Sequence, residues 1–319
     1  MTGKRHFPLH IVTKQIKTHM IPRTLFLAAA LALTLHASPS FGQTKPLPAN
    51  HGKVVTQLYL TPDDSPLPAN SMKRPLLVAM GGAEGGNPWA GPRAQTMRNL
   101  FLSDGYAFLA LGYFGAPGTP EKLDRIAIDG VRDAILKAAQ DPAVDARCIA
   151  LIGGSKGAEL ALLMASRTPE FKAVAAVVPG SAVFVGHTDQ FDTGSFSENG
   201  VELPYVPMTE RAVPALMAGD KRKVFDLMME DKASVARARI PVEKINGPVF
   251  FLSATQDELW ASKEMSDQMM ATLKQANFPH AHEHVAIEGG HGAPMRHLNL
   301  VRKFLNEKFL PQVKGGCGR

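Results

Sequence analysis

The strongest constraint on this chain lies at residues 148–167. Four apolar residues, Ile149 to Ile152, run straight into Gly153, Gly154, Ser155, Lys156 and Gly157, and an Ala- and Leu-rich stretch follows with no breaker before Thr168 and Pro169. That order predicts a buried strand, a sharp turn and a helix. The turn carries the pattern G-x-S-x-G, in which glycines let strand and helix pass closely while the serine sits on a strained bend with its hydroxyl exposed. Ser155 is a candidate nucleophile. An ordinary strand-to-helix turn whose serine caps the helix meets the same pattern, so the reading depends on partners elsewhere.

Partners require other strands that end beside the turn. The apolar run 76–80 stops at Gly81, Gly82, Ala83, Glu84, Gly85 and Gly86. A strand ending in glycines ahead of such an elbow suits an oxyanion-hole loop, because backbone N–H groups can face a substrate oxygen with no side chain between them. Gly82 is the candidate donor and the Lys156 N–H the second. A phosphate-cradling or merely flexible loop is the alternative, although G-x-G-x-x-G is not matched. Further strands are predicted at 54–60, as an alternating edge strand, and at 107–111, 173–178, 249–254 and 285–287. Helices are predicted at 94–104, 123–140, 262–275 and 294–310. Met265, Met269, Met270 and Leu273 share one helix face and read as core packing. Short strands apolar on both faces, alternating with helices, imply an α/β chain with a mostly parallel sheet covered on both sides. The rhythm breaks at residues 181–247, which hold one helical stretch, 221–238, and read as a lid-like insertion within residues 43–319.

Two charged candidates fall just past strand ends, where sites on parallel sheets form. Asp257 follows the strand at 249–254 and His291 the strand at 285–287. Ser155, Asp257 and His291 thus occur in the order serine, acid, histidine, the chain order of an α/β-hydrolase triad. His291 would take the serine proton and return it to the leaving group, while Asp257 would fix the imidazole tautomer. Asp257 could instead cap the next helix, with Glu258 as the acid; His297 is the alternative base, but it lies inside a predicted helix. His280, His282 and His284 alternate with metal-like spacing, yet no carboxylate or cysteine cluster accompanies them, and a solvated edge face is the expectation. No metal or cofactor is called for.

Composition bears on location and partners. The net charge is +6, and five basic residues, Lys4, Arg5, Lys14, Lys17 and Arg23, precede residue 43 where there is no Asp or Glu, leaving +1 for the remainder. That near-neutral remainder gives no support to a nucleic-acid partner. Residues 1–42 read as a signal peptide: a basic start, an apolar core at 25–35, and small residues through Gly42. Met20 is an alternative start, and cleavage is expected near Ala37 or after Gly42. The core is too short to span a bilayer comfortably, so the expectation is a periplasmic or secreted chain with no stable membrane span. Of the two cysteines, Cys148 opens a buried strand and Cys317 lies in a Gly-rich tail; they are left unassigned between free and paired forms.

With these residues assembled, the chain resembles the α/β-hydrolase domain of the acyl-CoA thioesterases and bile acid-CoA:amino acid N-acyltransferases. The resemblance spans about residues 74–309. It rests on the elbow from Gly154 to Leu160, Ile240 to Glu243, Gln256, Asp257 and Glu258 followed by Trp260, and Gly290 with His291. It implies cleavage of an acyl thioester through an acyl-serine. Members that conjugate amino acids use cysteine at the elbow, so Ser155 favours hydrolysis, since an acyl-serine ester is readily deacylated by base-activated water. The family usually adds an N-terminal β-sandwich, for which residues 43–74 are too few. CoA thioesters are cytoplasmic, so an exported relative would act on other acyl donors; the alternatives are a periplasmic carboxylesterase of dienelactone-hydrolase type and an acyltransferase using the same triad. A silent binding module is the reading from a different class. The Lys156 side chain is read equally as an attractor of an anionic leaving group or as a solvated neighbour of the elbow.

Overall fold

Strands that are apolar on both faces must be buried from both sides, and a covered sheet is what forms. The computed structural model describes residues 45–317 apart from Asp64 and Ala69, and the leader read at residues 1–42 lies outside the described residues. In chain order the elements are β1 (Val55–Tyr59), β2 (Arg74–Met80), α1 (Gln95–Ser103), β3 (Ala107–Gly112), β4 (Ile126–Ala127), α2 (Ile128–Ala138), β5 (Val144–Gly154), α3 (Lys156–Arg167) and β6 (Phe171–Val177). There follow β7 (Phe196–Glu198), β8 (Val201–Glu202), α4 (Val213–Met217), α5 (Lys221–Met228), α6 (Lys232–Ala238), β9 (Val249–Ala254), α7 (Ser262–Gln275), β10 (His282–Ile287), α8 (Leu298–Lys308) and α9 (Leu310–Lys314). The main sheet has the order β1-β3-β2-β5-β6-β9-β10. β1 is the antiparallel edge strand, and every other neighbouring pair is parallel.

Alternation along β2 divides the core. Leu76, Val78 and Met80 pack with Val131 and Ile135 of α2, Leu163 of α3, and Met269 and Leu273 of α7. Leu77 and Ala79, one residue out of step, pack on the opposite face with Phe101 and Leu102 of α1 and Val301, Phe304 and Leu305 of α8. Each Leu, Val or Phe side chain taken from water contributes about 1.5–3 kcal/mol, so both layers are needed. The parallel strands all point their carboxyl ends one way, which collects the loops after β2, β5, β9 and β10 at one edge. Cys148 of β5 and Cys317 beyond α9 form a disulfide, with Cα atoms 5.4 Å apart.

Three helix expectations are corrected. The stripe beginning at Leu123 is helical only from Ile128, because Ile126 and Ala127 pair with Phe196 and Ser197 in a small sheet of β4, β7 and β8. A short buried strand and one turn of an amphipathic helix share the same apolar pattern, and the tertiary partner decides. The single helix read at 221–238 is two, α5 and α6: Asp220 accepts from the Lys223 N–H at 2.9 Å and Asp231 from the Ser234 N–H at 3.1 Å, each capping its own helix. The closing helix opens with a 3-10 turn, Pro294–His297, before α8.

Between β6 and β9 the chain leaves the sheet. Phe184, Val206, Val224 and Met228 of this segment form a separate apolar cluster with Trp260 and with Met265 of α7. The segment therefore sits over the carboxyl edge near the elbow. Among the described residues no helix is long and apolar enough to cross a membrane.

Candidate active site

β5 delivers the chain to Ser155, and α3 carries it away. Ser155 holds φ 52° and ψ −117°, a conformation costly for a residue with a side chain. The Ser155 N–H is fixed by the Val177 carbonyl at 2.8 Å, and its own carbonyl accepts from Ala158 and Glu159. Side chains at Gly153 and Gly157 would overlap backbone, that of Gly157 for the first and those of Gly81 and Met80 for the second. Gly154, the variable position of the pattern, has nothing closer than Met295 Sδ at 3.7 Å. Gly153 thus sets how closely α3 folds back on β5, and Gly157 how closely α3 approaches the loop after β2.

The loops after β9 and β10 bring acid and histidine into contact. His291 Nδ1 lies 2.9 Å from both Oδ1 and Oδ2 of Asp257. Burial works to raise the Asp257 carboxyl, but hydrogen bonds from His291, Ser262 and the Leu259 N–H outweigh it and hold the group below its ordinary range. With Nδ1 engaged, Nε2 is the nitrogen left for Ser155, and both residues line one chamber of about 620 Å³. Glu258 accepts the backbone N–H of His291 at 2.7 Å, so it braces the histidine loop and does not meet the ring. His297 is exposed and lines neither chamber beside Ser155.

Gly82 lies beside the nucleophile: a Cβ there would stand 3.1 Å from Ser155 Cβ. Its N–H is already engaged, donating to Glu84 Oε1 at 2.9 Å. The Lys156 N–H, at the first position of α3, belongs to the helix donors that have no intrahelical acceptor. Tyr113 Oη donates to the Gly81 carbonyl at 3.0 Å and steadies the loop from behind. Neither Glu84 nor Tyr113 was marked by the sequence pattern.

Both readings of the Lys156 side chain are corrected. It is 2% exposed, and its Nζ lies 3.0 Å from Glu159 Oε2 and 2.9 Å from Ser195 Oγ. Glu159 Oε1 in turn accepts the Phe184 N–H at 3.1 Å. Burial presses each of the pair towards its neutral form, lowering the lysine and raising the glutamate, and each partner opposes the shift. The ammonium is therefore neither solvated nor open to a leaving group; it ties the elbow helix to the segment above. The three alternating histidines are half-buried at the edge strand rather than a fully solvated face. His284 lies 2.7 Å from Ser253 Oγ and 3.0 Å from Asp267, while His280 and His282 pack edge-on against Phe278.

A second chamber, about 330 Å³, opens from Ser155 under the segment between β6 and β9, with Trp260 in its wall. Trp260 Nε1 donates to the Val178 carbonyl at 3.0 Å, and its ring lies 6.1 Å from that of His291. Ser155 is thus the meeting point of two unlike spaces.

A seven-stranded sheet with an antiparallel edge, a serine elbow after a central strand, and an acid and histidine on later strand ends define an α/β-hydrolase fold. Among solved structures, a Mycobacterium tuberculosis puromycin-hydrolyzing peptidase shares this fold, with TM-score 0.53 at 17% identity over 81% of this chain and 37% of that one. The family model described as BAAT / Acyl-CoA thioester hydrolase C terminal matches residues 132–294, just over half of the chain, and the chain belongs to that family. It is similar to mouse acyl-coenzyme A thioesterase 1, 27% identical over 230 residues, covering 72% of this chain and 49% of the relative. Mouse mitochondrial acyl-coenzyme A thioesterase 2 is 26% identical over 230 residues, 72% of this chain and 45% of the relative. The chain spans about half the length of the curated relatives it matches.

Proposed function

We propose that the protein is a serine hydrolase that cleaves an acyl thioester or ester through an acyl-serine intermediate. One observation carries this reading: His291 is held by both oxygens of Asp257 and faces the same chamber as a strained Ser155. Ser155 Oγ attacks the acyl carbon while its proton passes to His291 Nε2. The developing oxyanion is met by the backbone N–H groups of Gly82 and Lys156, once Glu84 has left Gly82. His291 returns the proton to the departing sulfur or oxygen. Water, deprotonated by the same nitrogen, then releases the acid and restores Ser155.

The same reading assigns the two chambers. The group that gives the proton back must reach the leaving atom, and His291 lines the larger chamber but not the smaller. The leaving group therefore occupies the larger chamber and the acyl group the smaller. Family membership supports a thioester substrate, whereas the leader read at residues 1–42 and the Cys148–Cys317 disulfide support an exported protein acting on other acyl donors. The test is turnover of matched acyl chains as CoA thioesters and as oxygen esters, with and without Ser155→Ala. Loss of at least about 10⁴-fold on Ser155→Ala is expected. Undiminished turnover in that variant overturns the acyl-serine route.

A further inference from the structure

Two side chains that flank one peptide bond grip the histidine. Asp257 takes the His291 ring at Nδ1, and Glu258 takes the His291 backbone N–H at 2.7 Å. The Asp257 carboxylate also accepts the N–H groups of Leu259 and Trp260 through Oδ1, at 3.0 and 3.2 Å, so its own backbone aims it. A turn of the peptide between residues 257 and 258 would therefore move both grips at once. Among the described residues no backbone N–H holds the carbonyl of that peptide.

A side chain from the segment above does. Arg222 stands at the second position of α5, and its Nη1 donates to the Asp257 carbonyl at 3.1 Å. The rest of the guanidinium is anchored on two carboxylates: Nε donates to Asp226 Oδ1, one turn along α5, at 2.9 Å, and Nη2 to Glu264 Oε1, in the first turn of α7, at 3.3 Å. A planar fork held at two points presents its remaining arm in one direction. The side chain is 32% exposed, so these ion pairs add little stability of their own. Phe225 of α5 also meets the Trp260 ring edge-on, with centroids 5.3 Å apart, a second contact between the helix and the acid loop. The same helix walls the smaller chamber with Val224, Phe225 and Met228, and its Lys221 joins burial and Lys156 in holding the His187 ring down to about 4. A helix that shapes the smaller chamber thus reaches back to the loop that aims the acid.

We propose that Arg222 is a positioning residue for the hydrolysis: from α5 it fixes the peptide between Asp257 and Glu258, and through their side chains it sets the His291 ring towards Ser155. This rests on the acyl-serine reading, in which His291 serves Ser155 with Asp257 behind it. Arg222 itself lines neither chamber and acts only through the loop.

The experiment is a double-mutant cycle on Arg222 and Asp257. It is read as kcat and KM for hexanoyl N-acetylcysteamine thioester and p-nitrophenyl hexanoate, and as the rate at which a fluorophosphonate labels Ser155. Arg222→Met should lower kcat and the labelling rate about tenfold, the loss of one charge-assisted hydrogen bond, with KM changed less than about twofold. In an Asp257→Asn background the same substitution should cost about threefold at most, because the ring there already holds the wrong tautomer and there is little left to aim. Equal losses in the two backgrounds, or no loss on Arg222→Met, overturn the proposal. So does an equal loss in Glu264→Gln, which would assign the effect to the ion pair on α7. Arg222→Lys keeps the charge but cannot span three partners, and run through the same cycle it decides the matter where Arg222→Met does not fold. If Asp257→Asn alone leaves turnover and labelling unchanged, the acyl-serine reading fails; a large loss there, with an additive Arg222→Met, overturns the positioning role alone.

Discussion

The elbow and the segment between β6 and β9 both touch Ser155, but they are held in opposite ways. The elbow is fixed by close backbone contact: Gly153 and Gly157 admit no side chain, and Ser155 is locked to Val177. The segment above has little regular structure, three short helices and two strands of three and two residues, and is held by the pairing of β7 with β4, by the His187 N–H on the Leu123 carbonyl at 2.8 Å, and by a few buried side chains. The buried Lys156–Glu159 pair is where the two meet, reaching Ser195 and the Phe184 N–H. The elbow is thereby built on close-packed backbone, which varies little without loss of the fold, and the walls of the smaller chamber on side chains, which can be exchanged.

The largest effects should come from breaking the backbone side of that comparison. Gly157→Ala drives a methyl group into the Gly81 and Met80 carbonyls, neither of which is a flexible end. It should cost more than about 4 kcal/mol or abolish folding, whereas Gly154→Ala, three positions earlier and meeting only Met295 Sδ at 3.7 Å, should cost less than about 1 kcal/mol. Denaturant melts of the two variants decide it, and equal costs would mean the elbow is not set by glycine packing.

Next comes the junction. Removing either partner of a buried pair leaves an uncompensated charge, so Lys156→Met or Glu159→Gln should destabilise by about 3–5 kcal/mol. Replacing both, Lys156→Met with Glu159→Leu, should recover much of that loss, although the Phe184 N–H stays unmet. If the double variant is as unstable as the singles, the charges are not what joins the two regions.

What could be read from the sequence follows the same divide. The strand at 249–254, the helix at 262–275 and the elbow are local signals, and the chain order of Ser155, Asp257 and His291 is a property of sequence itself. The segment above was opaque because its structure depends on distant partners. β4 exists only because Phe196 and Ser197 pair with it, and Lys156 reads as a surface residue until Ser195 and Glu159 close over it. The disulfide joins residues 169 apart, and no spacing rule fixes such a pair. The role of Glu84 is not legible in sequence, because a carboxylate in a Gly-rich loop carries no sign of which N–H it will take.

A smaller effect tests the side-chain region through pH. The His187 ring titrates near 4 when folded and near its ordinary 6.5 when unfolded. Between these values the unfolded chain takes a proton that the folded one refuses, so the contribution is whole above pH 6.5, is lost as pH falls to 4, and stays constant below. The loss is at most about 3 kcal/mol. His280 and His284 are lowered too, giving slopes of the same sign. The His187→Asn difference therefore isolates this ring, and its stability should fall less steeply over that window. An unchanged slope would place the ring in contact with water.

The smallest expected effect lies at Glu84, where the two kinds of construction compete for one donor. The Gly82 N–H is aimed by backbone, yet a side chain occupies it, at 2.9 Å and within the larger chamber. On the proposed mechanism, a tetrahedral intermediate on Ser155 has to displace that carboxylate to reach Gly82, and a carboxylate on an N–H is among the stronger hydrogen bonds. Its displacement adds to the barrier for every acyl donor alike, because the oxyanion is common to all. Glu84→Ala should accordingly raise the rate at which a fluorophosphonate labels Ser155 by about tenfold, whereas Glu84→Gln, which retains an acceptor oxygen, should gain much less. A fall in labelling with Glu84→Ala, while the melt is unchanged, would show instead that the carboxylate holds Gly82 in the pose the intermediate needs. In that case the side chain supports the backbone scaffold whose donor it occupies, and the division between the two regions does not extend to this loop.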